Sequence, residues 1–215
     1  MRLFVAVTPP AAALAELARA VAPLRAVAGA AGPDGLRWTD PAGWHLTLVF
    51  LGEVAEERLP ALRDGLARAA RGHQEHELRL AGGGRFGDRV LWVGLAGQTR
   101  ALHALALAVA EATGAEAGVA QEGGYQPHLT LARAGTGRSH PTGAQRAALR
   151  AAAERLAAFQ GEPYPVTGFE LMRSDFGAGD GDGDGGGGPA DGKAHPGRGP
   201  VRYTAIDRWE LARPR

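Results

Sequence analysis

Two histidines and two threonines recur at one spacing. His45-Leu46-Thr47-Leu48 is followed, far along the chain, by His128-Leu129-Thr130-Leu131. Alternate side chains of an extended strand point to opposite faces, so each histidine shares a face with its threonine and two leucines hold the other. At about 3.3 Å per residue, the imidazole and hydroxyl of one copy stand roughly 6–7 Å apart. Two such strands side by side would form a pocket with two imidazoles and two hydroxyls. Imidazole titrates near neutrality, so one ring can take a proton while the other gives one. In-line attack on phosphorus needs that division. A base deprotonates the incoming water or hydroxyl, and an acid on the opposite side protonates the leaving oxygen. The hydroxyls of Thr47 and Thr130 would donate to the non-bridging oxygens, whose charge shifts in the transition state. Arg133 follows the second copy and would add a charge-assisted contact. Strict alternation puts it on the leucine face, so it serves only if the strand ends or bulges first. Neither copy has a third histidine or a carboxylate cluster at ligand spacing beside it, and a mechanism without metal or other cofactor is expected. One His-x-Thr match alone describes a core or surface histidine; two in matching strands point to chemistry.

The elements that must carry these residues follow from periodicity and breakers. Residues 2–8 read as a buried strand, and Thr8-Pro9-Pro10 as a helix start with Thr8 as N-cap. An Ala/Leu-rich helix runs to about Arg25, with a break or kink expected at Pro23. Residues 36–38 form a short strand, and Trp44 to Leu51 the first motif strand, ended by Gly52. A helix follows over 56–71, a strand over 77–81, a glycine loop over 82–84 and a strand over 90–95. The second round repeats this: a helix over 99–113 with Gly114 as C-cap, the second motif strand over 126–133, a helix over about 144–159 and closing strands over 166–173 and 201–211. The expected fold is α+β: a bilobal duplicated unit of antiparallel sheets with outer helices, pseudo-twofold, with the active cleft between the lobes. The whole chain, 1–215, reads as one domain interrupted by a flexible Gly/Asp-rich insertion at 177–200. Its Asp180-Gly-Asp182-Gly-Asp184 run lacks the downstream glutamate of a calcium loop.

Composition narrows the classes. The 215 residues include no cysteine, which removes disulfides and thiolate chemistry and fits a reducing compartment. The net charge is +1, so no basic field advertises a long duplex, and RNA contact would be local, at a chain end. No apolar run has the length of a membrane helix and the first residues lack a signal-peptide pattern, so a cytoplasmic location without membrane contact is expected.

Beyond the two motifs, the opening Arg2-Leu-Phe-Val-Ala-Val7, the run Trp44 to Gly52, Arg89-Val-Leu-Trp-Val-Gly94 and Pro127 to Arg133 together resemble the two-histidine (2H) phosphoesterases. The most similar branch is the RNA 2′,3′-cyclic phosphodiesterases, also called LigT-like or 2′-5′ RNA ligases. The resemblance implies metal-independent opening of a 2′,3′-cyclic phosphate to a 2′-phosphomonoester. It also implies His45 as proton donor, His128 as proton acceptor, and Thr47, Thr130 and Arg133 as phosphate ligands. The expected partners are RNA ends or small cyclic nucleotides, met by a monomer. Phe4 and Tyr125 are candidate base or ribose contacts, beside the alternative of Phe4 as core. Trp44 is read as core, Trp38 as a candidate for the cleft rim, and Arg37 and Gln126 as candidates for the ribose or base. His73, His76, His103, His140 and His195 are read as surface residues. Rival readings are 2′-5′ end joining, another cyclic phosphate, or a nucleotide-binding module without turnover.

Overall fold

The computed structural model describes residues 1–27, 35–115, 125–135, 140–176 and 201–214; the insertion at 177–200 and His195 lie outside them. In chain order the elements are β1 (Arg2–Val7), α1 (Ala11–Val27), β2 (Arg37–Trp38), β3 (Leu46–Glu53), α2 (Leu59–Arg71), β4 (His76–Phe86), β5 (Val90–Gly97), α3 (Thr99–Thr113), β6 (Leu129–Arg133), α4 (Gly143–Leu156), β7 (Tyr164–Val166), β8 (Gly168–Phe176) and β9 (Val201–Glu210). Short 3₁₀ turns precede β3 at Pro41–Gly43 and α2 at Glu56–Arg58.

The helices form where apolar residues recur at helical spacing. Leu17, Val21 and Leu24 line the buried side of α1, and Leu102, Leu105 and Val109 that of α3. Helix α1 runs unbroken through Pro23. Thr8 does not cap it; its hydroxyl donates to Glu170 (2.7 Å). A capping box starts α4, where Thr142 and Gln145 exchange side-chain and backbone hydrogen bonds. Gly114 closes α3 in the left-handed conformation.

All strand pairs are antiparallel, in two sheets of order β3-β1-β8-β9 and β2-β6-β5-β4-β7. Each sheet carries one motif strand, β3 or β6. The lobes are not the two halves of the sequence, however. β2, which precedes the first motif, joins the second motif's sheet, and β8 and β9 complete the first. Helices trade places too: α4 packs chiefly against β4 and β5, whereas α3 packs chiefly against α2 and β3. The main apolar core runs through both lobes, from Leu3, Leu17 and Leu46 to Leu91, Leu129 and Leu149, and Phe4, Ala6 and Met172 form a second, small cluster.

The expected glycine loop at 82–84 is the interior of β4. Gly82, at φ +68°, sits in a bulge opposite β5, and the two glycines after it make room for neighbours. A Cβ on Gly83 would meet the Leu156 Cβ at 2.2 Å, and one on Gly84 the Trp92 ring at 2.2 Å. The short strand β7, which pairs with β4, carries no strong alternation and escapes a reading by period. Among the described residues no helix is long and apolar enough to cross a membrane.

Candidate active site

The leucines of both motifs anchor them. Leu46, Leu48, Leu129 and Leu131 are all buried, and Thr47 and Thr130 face the other way, partly exposed. Each histidine stands one residue before its strand. There the backbone turns enough for the ring to reach the carbonyl two residues back. His45 Nδ1–H donates to Gly43 O (2.7 Å) and His128 Nδ1–H to Gln126 O (2.8 Å). A carbonyl only accepts, so both rings carry their proton on Nδ1 and offer Nε2 to solute. The two imidazoles lie close enough for the charge of His128 to oppose that of His45. Burial is the main force on each and lowers both pKa values from the ordinary 6.5.

Both motif strands bulge at the same place. In the β1–β3 ladder Ala6 faces Thr47 and Val5 faces Val49, leaving Leu48 as the extra residue. In β5–β6, Trp92 faces Thr130 and Leu91 faces Ala132, leaving Leu131 extra. Two consecutive residues therefore enter the core after each threonine, and the third returns to the histidine's face. That third residue is Phe50 in one lobe and Arg133 in the other. The bulge thus frees Arg133 from the leucine face that simple alternation assigns to it. Its positive charge helps to hold down the His128 pKa. Phe50 is 69 % exposed and was not singled out from sequence. Its signal was its position, five residues after the histidine, as Arg133 is after His128.

Directly paired residues share a sheet face, so the registers spell out the walls of the cleft. One lobe presents the rows Thr47–Ala6–Glu170–Arg208 and Phe50–Phe4–Met172–Ala205. The other presents Thr130–Trp92–Gly84 and Arg133–Val90–Phe86. The pseudo-equivalent positions differ in charge. Glu170, 16 % exposed, accepts from Thr8 and from Arg208 Nη1 (3.2 Å), and its charge favours protonated His45. His128 meets Arg133 instead.

Aromatic rings back each histidine. Phe4 is 3 % exposed, and its ring lies 4.8 Å from His45; Tyr203, from β9, meets His45 edge-on at 4.9 Å. Phe4 thus packs behind the imidazole and exposes almost no face to a base. Phe86 lies edge-on to His128 at 4.7 Å, and Trp92 lies at 6.5 Å.

The remaining sequence candidates serve the frame. The Tyr125 hydroxyl, whose pKa burial raises, donates to Thr47 O (3.0 Å), tying the segment before His128 to the first motif strand. A reciprocal link runs the other way. Trp44 Nε1, next to His45, donates to Thr39 Oγ1 (2.8 Å), and that hydroxyl donates to Thr130 O and Leu131 O (both 2.9 Å). Trp44 is core at 2 % exposure. Trp38 is half-buried under the Arg25 guanidinium (5.5 Å), and Arg37 donates to Gly135 O (2.7 Å). His76 departs from the surface reading: it is buried against the Val166 pairing, with Nδ1–H donating to Gln74 O (3.1 Å).

Comparisons with known proteins agree with this geometry. The family model described as the 2′-5′ RNA ligase superfamily matches residues 9–177. An RNA 2′,3′-cyclic phosphodiesterase of Thermus thermophilus is 36 % identical over 191 residues, 81 % of this chain and 82 % of that protein. Proteins of the same description from Thermotoga maritima and Archaeoglobus fulgidus are 30 % and 31 % identical, over 54 % and 58 % of their own lengths. Solved structures of Escherichia coli LigT with phosphate and with 3′-AMP superpose with TM-score 0.62 at 26 % identity and cover 98 % of this chain, and 97 % and 98 % of theirs.

Proposed function

The chain belongs to the 2′-5′ RNA ligase superfamily, and on that premise we propose that it is an RNA 2′,3′-cyclic phosphodiesterase, acting as a monomer on RNA ends or small cyclic nucleotides. The observation that carries the reading is the pair of histidines, each with Nδ1 held by a backbone carbonyl and Nε2 free, beside a threonine hydroxyl on the same face. Descriptions of the relatives, and the nucleotide held by E. coli LigT, support the substrate class.

The reaction follows from the asymmetry of the cleft. His45, beside Glu170, is the acid; His128, beside Arg133, is the base. Nε2 of His128 takes a proton from water as its oxygen bonds to phosphorus. The P–O3′ bond breaks, and Nε2–H of His45, which enters the step protonated on both nitrogens, delivers a proton to O3′. The product is a 2′-phosphomonoester with a free 3′-hydroxyl. Thr47, Thr130 and Arg133 donate to the non-bridging oxygens, where fixed donors act without reorganising. Phe50 offers an exposed ring face on the His45 side, where the ribose bearing O3′ and its base would lie. No step calls on a metal.

The test is hydrolysis of a 2′,3′-cyclic mononucleotide in EDTA by the wild type, His45→Ala and His128→Ala, with product identified by phosphorus NMR. The expected result is a 2′-phosphate from the wild type and a loss of about 10²–10⁴-fold in kcat for each variant. Undiminished turnover in either variant sinks the two-histidine mechanism. Loss of wild-type activity in EDTA sinks the metal-free one.

A further inference from the structure

The His45 ring is aimed by the hydrogen bond from its Nδ1–H to Gly43 O (2.7 Å). That carbonyl belongs to the last residue of the 3₁₀ turn Pro41–Gly43. The turn is secured at its start, where Asp40 Oδ1 accepts from Ala42 N (2.9 Å) and Asp40 O from Gly43 N (2.9 Å). Its far end meets a ring delivered by the last strand of the chain. Tyr203 of β9 lies so close over Gly43 that a Cβ there would stand 3.2 Å from its Cδ2 and 3.4 Å from its Cε2. Gly43 is not among the glycines of positive φ, so the turn itself does not call for glycine; the space a side chain would take is held by the ring. The same ring meets His45 edge-on at 4.9 Å and Phe4 edge-on at 5.4 Å, and Phe4 lies tilted against the imidazole at 4.8 Å. Tyr203 therefore touches both partners of the hydrogen bond that aims His45. It is 40 % exposed, so it contributes little to the core. In the other lobe Phe86 stands edge-on to His128 at 4.7 Å, but the carbonyl that holds His128 belongs to Gln126, not to a glycine under a ring.

We propose that Tyr203 is a positioning residue for the acid: it holds the Gly43 carbonyl and the His45 ring against each other, so that Nε2 faces the leaving oxygen. The proposal rests on the phosphodiesterase reading, which makes His45 the acid. Tyr203 acts through His45, so its effect falls on kcat rather than on KM. Edge-on aromatic pairs have a preferred geometry, and two of them fix this ring between Gly43, His45 and Phe4. Misplacing a reacting group by about 1 Å costs on the order of 10²-fold in rate.

Tyr203→Ala and Tyr203→Phe test this by NMR and by kinetics. Proton–nitrogen correlation spectra at alkaline pH read which ring nitrogen carries the proton of a neutral imidazole. The substrate-free wild type and Tyr203→Phe, which keeps the ring, are expected to show His45 as the Nδ1–H tautomer, and Tyr203→Ala a mixture of the two. His128, held by Gln126 O beside Phe86, keeps its Nδ1–H tautomer in all three proteins and is the internal control. On a 2′,3′-cyclic mononucleotide, Tyr203→Ala lowers kcat about tenfold with KM nearly unchanged, and Tyr203→Phe restores kcat. Losing the ring also admits water to His45 and relieves the burial that is the largest influence on it. The limb of the pH profile belonging to the acid therefore moves to higher pH, toward 6.5. Glu170 of β8 and His128, the charged groups that act on His45, are unchanged by the substitution. A Tyr203→Ala protein with a raised KM, an unchanged kcat and His45 still in the Nδ1–H tautomer overturns the proposal, because Tyr203 is then a substrate contact. Loss of the Nδ1–H tautomer at His45 and His128 together also overturns it, because the ring then serves the fold. Absence of hydrolysis by the wild type overturns the phosphodiesterase reading instead, and the tautomer of His45 in the two variants still decides whether Tyr203 orients it.

Discussion

At the scale of single residues, the two histidines start alike and are made unlike by one neighbour each. Burial lowers both imidazoles from 6.5, so the pH profile of kcat/KM is expected to be a bell centred on the acid side of that value. Glu170 favours protonated His45, and Glu170→Gln removes that support; the limb belonging to the acid moves to lower pH. Arg133 disfavours protonated His128, and Arg133→Gln moves the limb belonging to the base to higher pH. Shifts in opposite directions, measured on a cyclic mononucleotide, support the assignment; movement of both limbs in one direction contradicts it. Thr47→Ala and Thr130→Ala each remove one donor to the phosphoryl oxygens, and each is expected to lower kcat by about 10²–10³-fold with the fold intact by circular dichroism. The histidines and threonines were legible because the motif occurs twice in matching contexts. Phe50 was not, since an aromatic in an apolar run reads as core. Only the bulge at Leu48 turns it outward.

At the scale of elements, bulges and cross-links decide what period alone leaves open. Alternation locates β3 and β6 and their anchor leucines, but a bulge depends on the neighbouring ladder, so the place of Arg133 could not be read from its own strand. The glycines at 82–84 were misread for a related reason. Glycine marks a loop by its freedom and a strand interior by its lack of a side chain, and only Leu156 and Trp92 tell the two apart. Gly83→Ala is expected to lower stability by about 1–3 kcal/mol in urea denaturation, because the Leu156 backbone as well as its side chain stands in the way. The Trp44–Thr39–Thr130 link and the Tyr125–Thr47 link join each motif to the segment beside the other. Thr39→Val strands the Trp44 N–H in a buried place and is expected to cost about 1–3 kcal/mol and to lower kcat more than it raises KM. Thr39→Ser, which keeps the hydroxyl, restores both.

At the scale of the whole molecule, the composition, the α+β class and the antiparallel lobes around one cleft were legible, since they follow from summed patterns. The exchange of β2 and of β8 with β9 between the lobes was not. It pairs Leu3 with Arg173 and Arg37 with Arg133, and no local pattern reports partners so distant in sequence. Three half-buried or buried histidines also act on the molecule together. His45, His76 and His128 bind protons less readily folded than unfolded, each first through burial. The unfolded chain therefore takes up more protons as pH falls below 6.5, and stability, complete above that pH, declines beneath it. Thermal unfolding at pH 7.5 and pH 5 should show the lower Tm in acid, and His76→Leu should narrow the gap. The β8–β9 ladder extends to the Phe176–Val201 pair, so replacing 177–200 by a short glycine-containing turn is expected to leave the Tm and the hydrolysis of a cyclic mononucleotide unchanged.

The strand exchange also sets an order of events at the ribosome. The sheet beside His45 is ordered β3-β1-β8-β9, so it is complete only once residues as late as Glu210 have joined it. The second motif's sheet has its last strand at Tyr164–Val166, before β8 begins, whereas the contacts that finish the first sheet are of long sequence separation and form slowly. A chain stalled before β8 therefore carries every strand of the second sheet but only two of the four of the first. Glu170, the carboxylate that sets His45 apart from His128, is itself on one of these late strands.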